Sequence, residues 1–199
     1  ISYWEYSDKW FITSKQIIYA IIGLVLMFIA MNLSVNFYKK IFLLALLFSL
    51  TLLILVFVPN VGMVINDARS WIGVTLAGRT LSIQPVEFAK IGLLLYLAVL
   101  LAKKGAKVED FKNGLLPPLI IILIFFGLIF VQPDFGSAMI LLLAAGILLV
   151  AAGARWLHII GLALAGGLSL IGYILVTGKT DRFTSFLDPW ADPYNEGYH

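Results

Sequence analysis

Residues 113–133 read NGLLPPLIIILIFFGLIFVQP, 21 residues without a charge between Lys112 and Asp134. A helix rises about 1.5 Å per residue, so a hydrocarbon core of about 30 Å takes roughly 20 residues to cross. This run is long enough to cross once. Working outward, 20 uncharged residues separate Asp134 from Arg155, and 23 separate Arg155 from Lys179. Toward the N-terminus, 26 lie between Lys40 and Asp67, and 23 between Lys15 and Lys39. A further apolar segment, Val86–Ala102, carries Glu87 and Lys90 near its start. The runs are unbroken rather than alternating, which disfavours a membrane β-barrel. The expected fold is all-α and polytopic, with six transmembrane helices near Ile17–Met31, Ile41–Val58, Val86–Ala102, Leu115–Val131, Ser137–Ala152 and Leu157–Val176, in a single membrane domain over 1–199.

Composition excludes the main alternatives. Of 199 residues, 61% are hydrophobic and 13% charged, and the mean hydropathy is +1.00. A soluble domain is about half apolar and about a quarter charged, so a soluble enzyme, a disordered chain and a nucleic-acid binder are all poor fits. The net charge of +3 is too small and scattered for a basic face. Without cysteine there is no thiol chemistry, and two distant histidines, His158 and His199, make no histidine-rich metal centre. The chain begins at Ile1 and ends at His199 in a polar stretch, as expected of a fragment of a longer protein.

Basic residues set the expected orientation. Lys39, Lys40, Lys103, Lys104, Lys107, Lys112 and Arg155 fall on one side, in short connections next to helix ends. There the positive-inside rule is most reliable, which assigns that side to the cytoplasm. The other side holds loops 59–84 and 178–199 and eight of the eleven acidic residues. Loops carry chemistry more often than scaffolds do, so candidate residues are sought there.

Four constellations stand out. In Asn66–Gly73, Trp71 suits the headgroup level, and Arg69 is either a snorkelling anchor or a partner for phosphate oxygens. In Ile83–Lys90, Glu87 and Lys90 are three apart and share a helix face. They form either a structural ion pair or part of a polar substrate cavity. In Gln132–Ser137, Asp134 reads first as a helix cap in a tight turn. In Thr180–His199, Asp188, Asp192 and Glu196 stand among Arg182, Trp190, Tyr194 and Tyr198. This tail is either a solvated turn or a carboxylate poised at the membrane surface as a general base.

Together and in this order, these pieces resemble the SEDS family (shape, elongation, division and sporulation) of FtsW, RodA and SpoVE. The matching stretches are NDARSWI (66–72), IQPVEFAK (83–90), VQPDFGSA (131–138), AGAR (152–155) and FLDPWADPYNEGY (186–198). Val86 stands where the family usually has Ser, and Asp67 where it usually has Gly. Asp188-Pro189-Trp190 looks more like FtsW or SpoVE than RodA.

The resemblance implies a ten-helix protein of the bacterial cytoplasmic (inner) membrane, of which this chain covers the second through seventh helices. It implies a peptidoglycan glycosyltransferase that polymerises lipid II at the outer face, for cell division or cell-shape maintenance, beside a class B penicillin-binding protein. The family's essential outer-loop Asp falls on Asp192, expected to be the catalytic base. Arg69, Trp71, Glu87 and Lys90 are the expected substrate-binding residues. No organic cofactor is implied; Arg69 or a divalent cation (Mg²⁺ or Mn²⁺) would offset leaving-group charge. The competing functions are a lipid II flippase and a non-catalytic scaffold that recruits a cell-wall synthase.

Overall fold

The computed structural model describes residues 11–59, 61–65, 68–76 and 79–177. The chain divides into two compact units, 1–99 and 100–199.

In the first unit, α1 (Phe11–Asn32) leads through a two-residue turn into α2 (Val35–Leu55). α2 starts ahead of the expected Ile41 because Ser34 caps it: Ser34 Oγ accepts from Phe37 N at 3.3 Å. Tyr38 ties the two helices, donating from its hydroxyl to Ala30 O at 2.7 Å. Ser49 and Thr51 donate to the carbonyls of Leu46 (2.9 Å) and Leu47 (2.8 Å) within α2. An apolar surrounding requires such internal satisfaction, because an unpaired polar group there costs several kcal/mol.

The loop expected over 59–84 is structured. It folds into a three-stranded antiparallel meander, β1 (Gly62–Ile65), β2 (Ala68–Leu76) and β3 (Arg79–Ile83). Gly62 pairs with Ile72 and Met63 with Trp71, and a bulge follows before Ile65 pairs with Ala68. β2 and β3 run in register from Ile72↔Ile83 to Leu76↔Arg79. Ser70 and Ile72 alternate with Trp71 and are buried, so one face of β2 is covered.

β3 passes through Gln84 straight into α3 (Pro85–Lys104), with Pro85 at the first helical position. α3 packs on α2 through Phe42–Tyr96 and Phe48–Phe88, whose ring centroids lie 5.9 and 6.2 Å apart. The two helices approach closely at Gly92. A Cβ there would lie 2.4 Å from Ser49 Oγ and 2.7 Å from Ala45 O.

In the second unit a 3₁₀ turn (Gly105–Glu109) and a π turn (Phe111–Leu115) lead to α4 (Leu116–Val131), α5 (Phe135–Ala151) and α6 (Trp156–Thr177). α4 packs on α5, and α5 on α6. Asp134 caps α5 as its position predicts, accepting from Ser137 N at 3.2 Å. α5 ends at Gly153, whose φ of 87° suits a glycine cap.

Among the described residues, three helical stretches are long and apolar enough to cross a membrane: Val35–Leu55, Pro85–Glu109 and Phe111–Val131. Gln16–Asn32, Gly136–Ala151 and Trp156–Leu168 are shorter apolar helices. The helical, multi-pass membrane architecture expected from the sequence is present, with a small sheet added to one connection.

Candidate functional site

The ionisable candidates of the first unit sit on two elements: Arg69 on β2, and Glu87 and Lys90 on the first two turns of α3. Lys90 Nζ donates to Glu87 Oε1 at 2.7 Å, as their spacing on one helix face allows. The pair is not sealed off: the Lys90 side chain is 23% exposed and that of Glu87 56%. The cost of breaking it is therefore that of a screened pair, up to about 1 kcal/mol, rather than the several kcal/mol of a fully buried one. The carboxylate keeps accessible lone pairs that a hydroxyl or amide donor can use.

Arg69 lies on β2, half-buried. Its Nη2 donates to Val58 O at 3.2 Å, just past the C-terminal end of α2. The same carbonyl accepts from Val61 N and Gly62 N, each at 3.3 Å. A guanidinium here meets the negative end of the α2 dipole, and its bond to a carbonyl is charge-assisted. Arg69 Nε is buried with no hydrogen-bond partner among the described residues. Arg69 therefore fastens the sheet to the end of α2 and retains one unused donor.

Gly62 makes this arrangement possible. A Cβ at that position would lie 1.9 Å from Val56 O and 2.9 Å from Arg69 Nε. Trp71 is half-buried on the same strand as Arg69, opposite Met63. Met63 also crosses Gly73, where a Cβ would meet its Sδ at 1.9 Å.

The structure thus joins Glu87 to Lys90 and places Arg69 and Trp71 two residues apart on one strand. No hydrogen bond or ion pair links Arg69 to Glu87 or Lys90 among the described residues. Asp192 lies outside the described residues, as do Asn66, Asp67 and the 178–199 tail. Among the described residues there is no group of three or more His, Asp or Glu side chains that could hold a metal ion.

The sequence reading missed Gly62 and the buried Ser70, because it treated 59–84 as irregular. The signal was present in the apolar, β-prone segments VGMVI (61–65), WIGVTL (71–76) and LSI (81–83) around Gly73 and Gly78.

The family described as "Cell cycle protein" (FtsW, RodA, SpoVE) matches residues 1–199. Stage V sporulation protein E of Bacillus subtilis (strain 168) is 35% identical over 196 residues, covering 98% of this chain and 52% of that protein. The "Probable peptidoglycan glycosyltransferase FtsW" of Geobacter sp. (strain M18) is 35% identical, with the same 98% and 52% coverage. A solved chain from "Structural coordination of polymerization and crosslinking by a peptidoglycan synthase complex" superposes with a TM-score of 0.72 at 30% identity, covering 93% of this chain and 53% of that one. The crystal structure of the rod shape determining protein RodA of Thermus thermophilus gives a TM-score of 0.56 at 32% identity, covering 73% and 46%. The chain spans about half the length of the relatives it matches.

Proposed function

Because the chain belongs to the FtsW, RodA and SpoVE family and is FtsW/SpoVE-like, we propose that it is part of a peptidoglycan glycosyltransferase that polymerises lipid II at the outer face of the bacterial cytoplasmic membrane. The observation that carries this reading is the placement of Arg69, Trp71, Glu87 and Lys90. They occupy one strand of the sheet and the first two turns of the helix it feeds, at the end of apolar helices. A substrate with its lipid in the bilayer and its sugar in water needs polar groups at that depth.

Asp192 is the proposed general base. It takes the proton from the 4-hydroxyl of the acceptor sugar. The oxygen attacks the donor's anomeric carbon with inversion, the bond from that carbon to the pyrophosphate oxygen breaks, and polyprenyl pyrophosphate leaves with the electron pair. Arg69 offsets the leaving group's charge, since one contact to a carbonyl does not neutralise its guanidinium. Glu87 and Lys90 orient the sugar or peptide rather than react with it. A divalent cation (Mg²⁺ or Mn²⁺) would supply the same charge compensation to the leaving group. A class B penicillin-binding protein is the proposed transpeptidase partner.

The test is polymerisation by the purified full-length protein with its partner in detergent micelles, where a flippase has no second compartment in which to show activity. Glycan strands should form, and Asp192→Ala should slow them by about 10²–10⁴-fold, the usual contribution of a positioned base. Absence of strands from the wild type, or a normal rate from Asp192→Ala, would end the catalytic reading in favour of a transporter or scaffold.

A further inference from the structure

We propose that the surface formed by the turns Gly105–Leu115 and the start of α6 at Arg155–His158 is a docking site for anionic phospholipid headgroups. Two connections meet here. Arg155 Nη2 lies 3.6 Å from Glu109 Oε2, and the rings of Phe111 and His158 stand edge to face at 5.1 Å between centroids. The basic residues of both connections therefore belong to one surface.

The acidic residues of this surface are already engaged. Asp110 accepts from Asn113 Nδ2 at 2.7 Å and from Lys112 N at 3.1 Å. Glu109 faces Arg155. Asp110 keeps its charge, since its donors are neutral, but the basic residues outnumber the acidic ones. Lys104 donates to Asn113 O, a neutral acceptor, and so keeps its charge. Lys107 and Lys112 are exposed, and no hydrogen bond or ion pair occupies their ammonium groups among the described residues. Five basic residues (Lys103, Lys104, Lys107, Lys112, Arg155) stand against two acidic ones (Glu109, Asp110), an excess of three positive charges.

Apolar side chains decide between a lipid and a soluble acidic partner. Phe111, Trp156 and Leu157 are 43%, 66% and 81% exposed beside these charges. They stand at the starts of two apolar helical stretches, Phe111–Val131 and Trp156–Leu168. An aromatic and aliphatic rim under a basic cap matches the boundary between acyl chains and headgroups. A basic cluster beside a membrane helix attracts anionic lipid, each residue contributing about five-fold in affinity. The 3.6 Å Glu109–Arg155 pair is exposed on both sides and weak, so a phosphate can share Arg155.

The experiment uses the full-length protein in nanodiscs of phosphatidylcholine with increasing phosphatidylglycerol. It reads lipid retention by native mass spectrometry and thermal stability. Wild type should enrich phosphatidylglycerol and melt higher as its fraction rises, with both effects reduced by salt. Lys107→Gln with Lys112→Gln should melt normally in pure phosphatidylcholine and bind phosphatidylglycerol roughly 25-fold more weakly. Lys107→Arg with Lys112→Arg should retain wild-type affinity. Equal enrichment of the two lipids, or full retention by the Gln variant, overturns the proposal. So does loss of affinity in the Arg variant. Reproduction of the stabilisation by inorganic phosphate would point to a free-phosphate site. An acidic protein bound through Lys107 and Lys112 without lipid selectivity would make the surface a protein interface. Polymerisation is not a readout, so the result is independent of the catalytic proposal.

Discussion

Gly62→Ala tests how the sheet is held to α2. The added Cβ would sit 1.9 Å from Val56 O, 2.9 Å from Val56 C and 2.9 Å from Arg69 Nε. Ordinary C···O contacts begin near ~3.3 Å, so backbone or strand must move apart by about 1.4 Å. Rotating a side chain does not relieve a clash with a carbonyl. Overpacking of this kind costs about 1–3 kcal/mol. The movement also pulls Arg69 from Val58 O, a charge-assisted bond that contributes about 1 kcal/mol once its partial exposure is discounted. The expected loss is about 2–4 kcal/mol, a melting-temperature drop on the order of 5–10 °C by the scaling for soluble domains. The assay is thermal unfolding of the full-length protein in one detergent, for wild type, Gly62→Ala, Arg69→Ala and the double variant. Both single changes lose the same Arg69–Val58 bond, so the double variant should fall short of their sum by about 1 kcal/mol. Gly62→Ala melting within about 1 °C of wild type would refute the contact, and strict additivity would refute the role given to Arg69.

Three further outcomes follow from other contacts. Gly92→Ala should lower stability by about 1–3 kcal/mol, because its Cβ meets Ala45 O at 2.7 Å as well as Ser49 Oγ at 2.4 Å; adding Ser49→Ala should restore only part of the loss in the same unfolding assay. A double-mutant cycle of Glu87→Gln and Lys90→Gln should give a coupling of at most about 1 kcal/mol, and a value above about 3 kcal/mol would mean a desolvated pair. Asp110 is held below the usual carboxylate range, first by the Asn113 side chain and then by Lys112 N. A depressed folded pKa adds stability above the unfolded value near ~3.9 and loses it as pH falls through the folded value. Asn113→Ala should therefore melt below wild type at pH 6, and the gap should narrow as pH drops below about 4; an unchanged gap at low pH would contradict this.

The helices were legible because charge spacing in a membrane chain is close to a direct record of the apolar layer. The Glu87–Lys90 pair was legible because helical spacing of three fixes a shared face, and Asp134 because a cap needs only a short acceptor at the right offset. Arg69 was legible as a charged group near the membrane surface, but its partner was not. Val58 O is a backbone atom eleven residues away, and no side-chain pattern announces it. The sheet was hidden for a related reason. Its strands are four, nine and five residues long, and the bulge between Met63 and Ile65 breaks the alternation that marks a half-buried strand. The placement expected for Asp192 rests on the resemblance, since its tail lies outside the described residues.

Which helix faces meet each other follows a different rule. In water, an apolar stripe at helical spacing marks the inner face. Here lipid is as apolar as leucine, so both faces of a helix carry the same residues. α1 illustrates this: Ile17, Ile22, Leu26 and Met31 are all exposed, at 55%, 50%, 59% and 70%, although they are as hydrophobic as any core residue. Small residues carry the information instead. The α2–α3 contact is marked by Ala45, Ser49 and Gly92, which let two backbones approach more closely than leucine would permit. The phenylalanine and tyrosine rings on either side, Phe42–Tyr96 and Phe48–Phe88, then fill the space beside that crossing. The Glu87–Lys90 pair lies within two turns of Gly92 on the same helix, so the crossing that fixes α3 against α2 also fixes where the ion pair is presented. A substitution at Gly92 should therefore disturb the polar end of α3 as well as the helix packing, although it introduces no charge and touches neither partner.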